Sequence, residues 1–112
     1  MIVKVGCDIA KIKRFSKIDA KVLNKVFHKN ELKVLKPKTL AGIFAAKESC
    51  KKVFNELQWH DIEIKKDKNN KPILILHKQK NVISCDISIS HDGDYAIATA
   101  VFLMINKKEK RL

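Results

Sequence analysis

Aromatic side chains make up only 6% of the 112 residues, and Trp59 and Tyr95 are isolated rather than spaced as a stacking platform. That counts against a single-stranded nucleic-acid binder, which needs successive aromatic faces. No zinc-finger, RNP or helix-turn-helix pattern is present either. The three cysteines, Cys7, Cys50 and Cys85, include no CxxC pair and are odd in number, so free thiols in a reducing cytoplasm are expected. The four histidines, His28, His60, His77 and His91, lack the spacing of a zinc site in the sequence, which points away from zinc. No apolar run approaches the length of a membrane span, and "MIVKVGCDIA" has no secretory cleavage pattern; neither a membrane partner nor export is expected. There is no repeat, low-complexity tract or interdomain linker.

What is abundant is positive charge. Twenty-four Lys and Arg stand against 12 Asp and Glu, a net +12. Such a surplus favours an anionic partner: nucleic acid, a phosphorylated ligand, an acidic protein or a membrane surface. Hydrophobic content of 46% supports a core, and a chain this short gains from oligomerisation. Length and composition fit one domain over 1–112, with 106–112 as a frayed tail.

Along the chain, "IVKV" reads as a strand ending in a Gly-Cys-Asp turn. Residues 11–35 carry apolar positions at three- and four-residue spacing, predicting two or three short helices with Asp19 and Asn30 as candidate N-caps. Pro37 and Thr39 open the longest helix, expected to reach about Leu57 with the stripe Leu40, Ile43, Ala46, Cys50, Val53, Phe54 and Leu57. Four strands follow. "DIEIKK" and "ILIL" flank the turn "DKNNKP"; "VISCDISIS" and "YAIATAVFLMI" flank the hairpin "HDGD", and the last strand is rich enough in apolar groups to be buried on both faces. The order predicts a single-domain α+β fold, a mostly antiparallel sheet packed on one long helix and several short ones.

Several polar residues invite a functional question. Lys47 interrupts the apolar stripe of the long helix. Glu48 lies at its edge, four residues before Lys52, which is also the spacing of an ordinary exposed Glu–Lys pair. Asp8, after a glycine at a strand end, reads as a helix cap or as a carboxylate ligand. Ser88 and Ser90 share a face, with His91 at the strand end, where histidines are commonly solvated.

Taken in order, "GCDIAKIKR", "LAGIFAAKESCKK", "DIEIKKDKNNKP" and "SISHDGDYAIA" resemble four landmarks of the holo-acyl-carrier-protein synthases, the small bacterial family of 4′-phosphopantetheinyl transferases. The resemblance covers nearly the whole chain. It implies the family's fold and transfer of the phosphopantetheine arm of coenzyme A to a serine of apo-acyl carrier protein, releasing 3′,5′-ADP, in fatty acid biosynthesis. It implies Mg²⁺ held by Asp8 and Glu48, with Lys52 and His91 completing the catalytic set. Coenzyme A contacts would come from Lys47, Lys52, Lys71, Pro72, Ser90 and His91. Carrier docking would use Lys13, Arg14, Lys17, Lys21 and Lys25, where acidic carriers suit a cationic face. It further implies a cytoplasmic homotrimer with active sites between subunits.

The chain departs from the family pattern at Ile43, where the family has an arginine before F-A-A-K-E, and in "VFNELQWHD", which lacks the family's glycine-rich stretch. Asn70 replaces the glycine before Lys-Pro. Two other readings stand beside the transferase: a basic nucleic-acid-binding module, and a degenerate relative that binds coenzyme A without turnover.

Overall fold

In the computed structural model, which describes residues 1–106, the β-branched start of the chain forms a strand that continues through Gly-Cys-Asp instead of turning there: β1 spans Ile2–Lys11. A 3₁₀ turn over Ile12–Phe15 leads to α1 (Ala20–Val26), and a second 3₁₀ turn covers Lys29–Lys33. Asp19 caps α1, its Oδ1 accepting from Lys21 N at 3.0 Å. Asn30 caps nothing; it lies within the second turn, whose first residue boundary is His28. The expected frayed tail, 106–112, lies outside the described residues except for its first position.

The long helix, α2, spans Pro37–Val53. Proline sits at its first turn, where a missing N–H costs nothing. It stops short of the expected Leu57: Phe54 leaves helical geometry, and its N–H closes on Cys50 O at 2.9 Å. Leu57 is buried nonetheless, beyond the helix. Strands β2 (Ile62–Lys66) and β3 (Pro72–Leu76) pair antiparallel around the 67–71 turn, where Asn70 takes φ 65°. That left-handed conformation suits asparagine.

Strands β4 (Val82–Asp92) and β5 (Tyr95–Met104) form a hairpin through Gly93 and Asp94, with Gly93 at φ 56°. The five strands thus fall into two antiparallel ladders, β1-β5-β4 and β2-β3.

Strand period 2 assigns each residue of β5 to one of two faces. Ala96, Ala98, Ala100 and Phe102 are buried toward α2, which presents Ala41, Ala45, Ala46 and Ser49, all at 0% exposure. Small side chains on both surfaces let helix and sheet approach closely, while Phe54 closes edge-on against Phe102 with ring centroids 4.9 Å apart. The opposite face is not buried as expected. Val3, Val5 and Ile9 on β1 are 63%, 61% and 57% exposed, and Tyr95, Ile97 and Val101 on β5 are exposed beside them. β5 therefore alternates buried and exposed along its length. Its outward apolar residues form an unpartnered stripe.

Candidate active site

The seam between β1 and α2 is set by a glycine. A Cβ on Gly6 would lie 1.9 Å from the carbonyl oxygen of Ser49, so only glycine lets the strand rest on the helix at this height. Ser49 in turn donates to Ala45 O at 2.7 Å and Ala98 O at 3.0 Å, tying the helix to the sheet behind. Two residues beyond Gly6, Asp8 faces the helix on the same side of β1. It is no helix cap, since β1 continues past it.

Lys52 meets Asp8 there. Its Nζ lies 3.0 Å from Asp8 Oδ1 and donates to Cys7 O at 2.9 Å, with the lysine side chain 55% and the aspartate 16% exposed. Glu48 stands one helical turn before Lys52. The hydrogen bond to Asp8, the Asp8 charge and, more weakly, Glu48 hold the Lys52 ammonium above its ordinary pKa. The seam thus sets the Asp8 carboxylate against a cation open to solvent, with Glu48 near enough to act on that cation's charge. Its donor chemistry, carboxylate oxygens beside an ammonium, fits a hard divalent ion and phosphate oxygens together.

His91, near the end of β4, packs against an earlier part of α2. Its ring packs over Gly42, where an added Cβ would come within 3.0 Å of Nε2, and Nε2 donates to Lys38 O at 3.0 Å. A carbonyl only accepts, so Nε2 carries the proton and Nδ1 keeps a free lone pair in the neutral ring. The histidine borders a cleft of about 210 Å³ with Thr39, Ile43, Lys66, Asn70 and Pro72. From Gly42 to Glu48 is about 9 Å along the helix axis at 1.5 Å per residue. The chain therefore carries two part-sites on one helix, the seam and the cleft. Ser90 is exposed and faces away from this cleft, on the outer side of β4, where it pairs with Ile97. Lys71 sits in the turn before β3, exposed, its N–H bonded to Asp67 Oδ1 at 2.9 Å.

Lys47 corrects the expectation that it contacts coenzyme A. It is fully buried, and its three donors are taken: Glu31 Oε1 at 2.8 Å, Val26 O at 2.8 Å and Trp59 O at 3.3 Å. Burial pushes its pKa down while Glu31 opposes the change. Glu31 is buried as well and also accepts from His28 N at 2.8 Å and Ile64 N at 2.7 Å. The interruption in the apolar stripe is thus an internal ion pair joining α2 to the second 3₁₀ turn and β2. Sequence reasoning found Lys47 but not Glu31, because nothing in "KNELK" marks one charged residue as the buried one.

The basic residues Lys13, Arg14, Lys17, Lys21 and Lys25 are all exposed on the first 3₁₀ turn, the segment after it and α1. Arg14 is steadied by aromatic faces, its guanidinium carbon 5.1 Å from the Phe44 centroid and 5.8 Å from that of Phe15. Phe44 precedes Glu48 by four residues on α2, which sets Arg14 along the helix that carries the seam. Lys51 instead covers the Trp59 ring at 3.8 Å, and Trp59 stacks on Phe44. The indole is thus covered rather than offered to bases.

An α+β domain with all-antiparallel ladders, a cationic helical edge and carboxylates beside a solvent-open lysine is built to handle a phosphorylated ligand. Residues 4–100 match the family model of the 4′-phosphopantetheinyl transferase superfamily, and the chain belongs to that family. Its curated relatives include the holo-[acyl-carrier-protein] synthase of Sulfurimonas denitrificans, 38% identical over 84% of this chain and 89% of that protein. The Campylobacter jejuni enzyme of the same name is 39% identical over 85% and 95%. Among solved structures, the Helicobacter pylori holo-[acyl-carrier-protein] synthase in complex with coenzyme A aligns with a TM-score of 0.82 at 34% identity, covering 89% of this chain and 100% of that one. A Bacillus anthracis synthase in complex with CoA (3′,5′-ADP) aligns at 0.74 and 33% identity, covering 88% and 93%. No helix among the described residues is long and apolar enough to cross a membrane.

Proposed function

We propose that the chain transfers the 4′-phosphopantetheine arm of coenzyme A to a serine hydroxyl of apo-acyl carrier protein, releasing 3′,5′-ADP, in fatty acid biosynthesis in the cytoplasm. The observation that carries the reading is the Asp8–Lys52 contact at 3.0 Å, with Glu48 one helical turn before that lysine, in a chain of this family. In the reaction the serine Oγ forms a bond to the β-phosphorus as the bond to the bridging pyrophosphate oxygen breaks. The serine proton passes to solvent, and 3′,5′-ADP leaves with the electron pair of the broken P–O bond.

Asp8 and Glu48 would hold Mg²⁺, which suits a site with one or two carboxylates plus substrate phosphates. When bound, the ion supplies Lewis-acid polarisation of the pyrophosphate and neutralises the leaving phosphate. Lys52 adds fixed positive charge where negative charge builds, and its raised pKa keeps it an ammonium throughout the neutral range. With Nε2 held by Lys38 O, His91 would bind phosphate in the cleft beside Pro72 as the imidazolium, Nδ1–H donating, with Lys71 at the mouth of the neighbouring turn and Ser90 on the outer strand face. The α1 side, with Lys13, Arg14, Lys17, Lys21 and Lys25, docks an acidic carrier.

The unpartnered stripe supports a homotrimer. Soluble monomers seldom leave a contiguous apolar patch of this kind exposed. Joining copies through β1 and β5 would cover Val3, Val5, Ile97 and Val101, and the outward Ser90, paired with Ile97, would lie beside that joint. Neither the nucleic-acid module nor the non-catalytic relative is favoured. The first lacks a stacking platform, and the second has no use for the carboxylate pair.

Incubation with coenzyme A, Mg²⁺ and apo-acyl carrier protein tests the reading, with mass spectrometry reporting the phosphopantetheine gain on the carrier. Asp8→Ala and Glu48→Ala are expected to abolish that gain with circular dichroism unchanged. If both variants remain active, the assignment of the metal-binding pair is wrong. For the assembly, Val5→Asp should lower the sedimentation mass and transferase activity together; a parent that sediments as a monomer at working concentration removes the trimer.

A further inference from the structure

The histidines that look scattered in the sequence converge in the fold. His28 precedes the second 3₁₀ turn, Glu63 lies on β2 and His77 follows β3. One donor atom from each lies within 4.8 Å of the others, the set combining a buried carboxylate with half-buried and exposed imidazoles. We propose that His28, Glu63 and His77 form a second cation site, separate from the Asp8–Glu48 seam, that takes a divalent transition-metal ion of the zinc class.

The topology produces the meeting. Glu63 pairs with Ile75 in the β2-β3 ladder, so His77, two residues on, is its diagonal neighbour on the same face. The His77 N–H extends the ladder by bonding Asp61 O at 2.8 Å. His28 is brought over the pair by Glu31, which binds the His28 N–H and the Ile64 N–H with its two oxygens. The ligands are themselves oriented. His28 Nε2 donates to His60 O at 3.0 Å, leaving Nδ1 with the lone pair, and Glu63 Oε2 accepts from Asn30 Nδ2. His60 stacks beside His28, ring centroids 4.7 Å apart, and is anchored by its own bond to Asn24 O. Such outer contacts are what hold metal-bound imidazoles and carboxylates in place.

The donor set chooses the metal. Two imidazoles and one carboxylate suit zinc and its transition-series neighbours, whereas Mg²⁺ prefers oxygen ligands throughout. The exposed side of His77 leaves a coordination position for water, as in three-ligand zinc sites. His77 Nε2 donates to Glu63 Oε1 at 2.9 Å. An ion bound there takes the place of that hydrogen, the single ring proton moving to Nδ1 of His77, and ties the 3₁₀ turn to both strands of the small ladder, so binding is coupled to folding. The site does not depend on the transferase reading.

The test is Co²⁺ and Zn²⁺ titration of the tag-free chain in excess Mg²⁺, which saturates the carboxylate seam. Expected are visible Co²⁺ absorption bands at one equivalent, displacement by Zn²⁺, and a rise in Tm with Zn²⁺. His28→Ala, His77→Ala and the isosteric Glu63→Gln should each weaken the site at least about tenfold, while Asp8→Ala leaves it intact. His77 is on the surface, so its variant keeps the fold even if the others do not. Absence of the absorption bands, or a His77→Ala variant that binds as tightly as the parent, overturns the proposal.

Discussion

Replacing Lys47 by methionine separates the two roles a lysine can have at this point of the helix. The substitution keeps volume and helix propensity but removes the charge that faces Glu31. Both side chains are fully shielded from water and 2.8 Å apart. Removing one partner of such a pair leaves an uncompensated buried charge, a loss of about 3 to 5 kcal/mol. Glu31 keeps the His28 and Ile64 N–H groups, which places the expected loss near the lower figure, about 3 kcal/mol; Val26 O and Trp59 O lose a donor as well. For a domain of about 100 residues each kcal/mol lowers Tm by roughly 4–8 °C, so a fall of at least about 12 °C is expected. Trp59 is the sole tryptophan, and urea unfolding followed by its fluorescence gives the free energy directly. Protein concentration is held constant, since assembly would contribute to apparent stability. The double variant Lys47→Met, Glu31→Leu should lose less than the sum of the single losses, because the two side chains form one unit. A Lys47→Met protein within about 1 kcal/mol of the parent, yet with a raised KM for coenzyme A, would refute the internal pair as the reason for this lysine and return it to the substrate.

Three further outcomes follow from the same contacts. Gly6→Ala sets a Cβ against the Ser49 carbonyl, a backbone clash that should cost about 1–3 kcal/mol and separate Asp8 from Lys52; transfer activity should fall further than denaturant stability alone explains, and a fully active Gly6→Ala protein contradicts the close approach. Burial acts to raise the Glu63 carboxyl, but bonds from His77 and Asn30, aided by the charges of His28 and Lys65, outweigh it and hold the pKa below its ordinary 4.5. A depressed carboxylate contributes stability above its unfolded pKa and loses it as pH falls through the folded one, so the gap between parent and Glu63→Gln should be full at pH 6 and close below about pH 4.5; a gap constant from pH 6 to pH 3 would exclude this linkage. Burial pushes the Cys50 thiol up to about 12, so a thiol reagent at pH 8 should modify exposed Cys7 and spare Cys50 in the native protein. Slow labelling of Cys7 at high protein concentration and fast labelling on dilution would report covering of the outer sheet face; equal labelling of Cys50 would show that the core opens.

Local pattern was sufficient for the element order, the Asp19 cap, the turn at Asn70 and the five strands, because each depends on residues within a few positions of one another. Asp8, Glu48 and Lys52 were recognisable as landmarks, although the contact of Asp8 with Lys52 depends on Gly6 admitting β1 to within contact of Ser49. Where the sequence was misleading, a distant partner decided. Lys47 looked available until Glu31 arrived from the second 3₁₀ turn, and β5 looked doubly buried although only one of its faces has a helix to meet. The histidines looked unrelated at spacings of tens of residues until the β2-β3 ladder folded His77 beside Glu63. Periodicity and charge in the chain itself determined which segments are helix or strand and that an anionic partner is favoured. Which charged groups lie inside, which pair and which await a ligand was decided by tertiary packing alone, since desolvation and Coulomb energy depend on neighbours in space and not on neighbours in sequence.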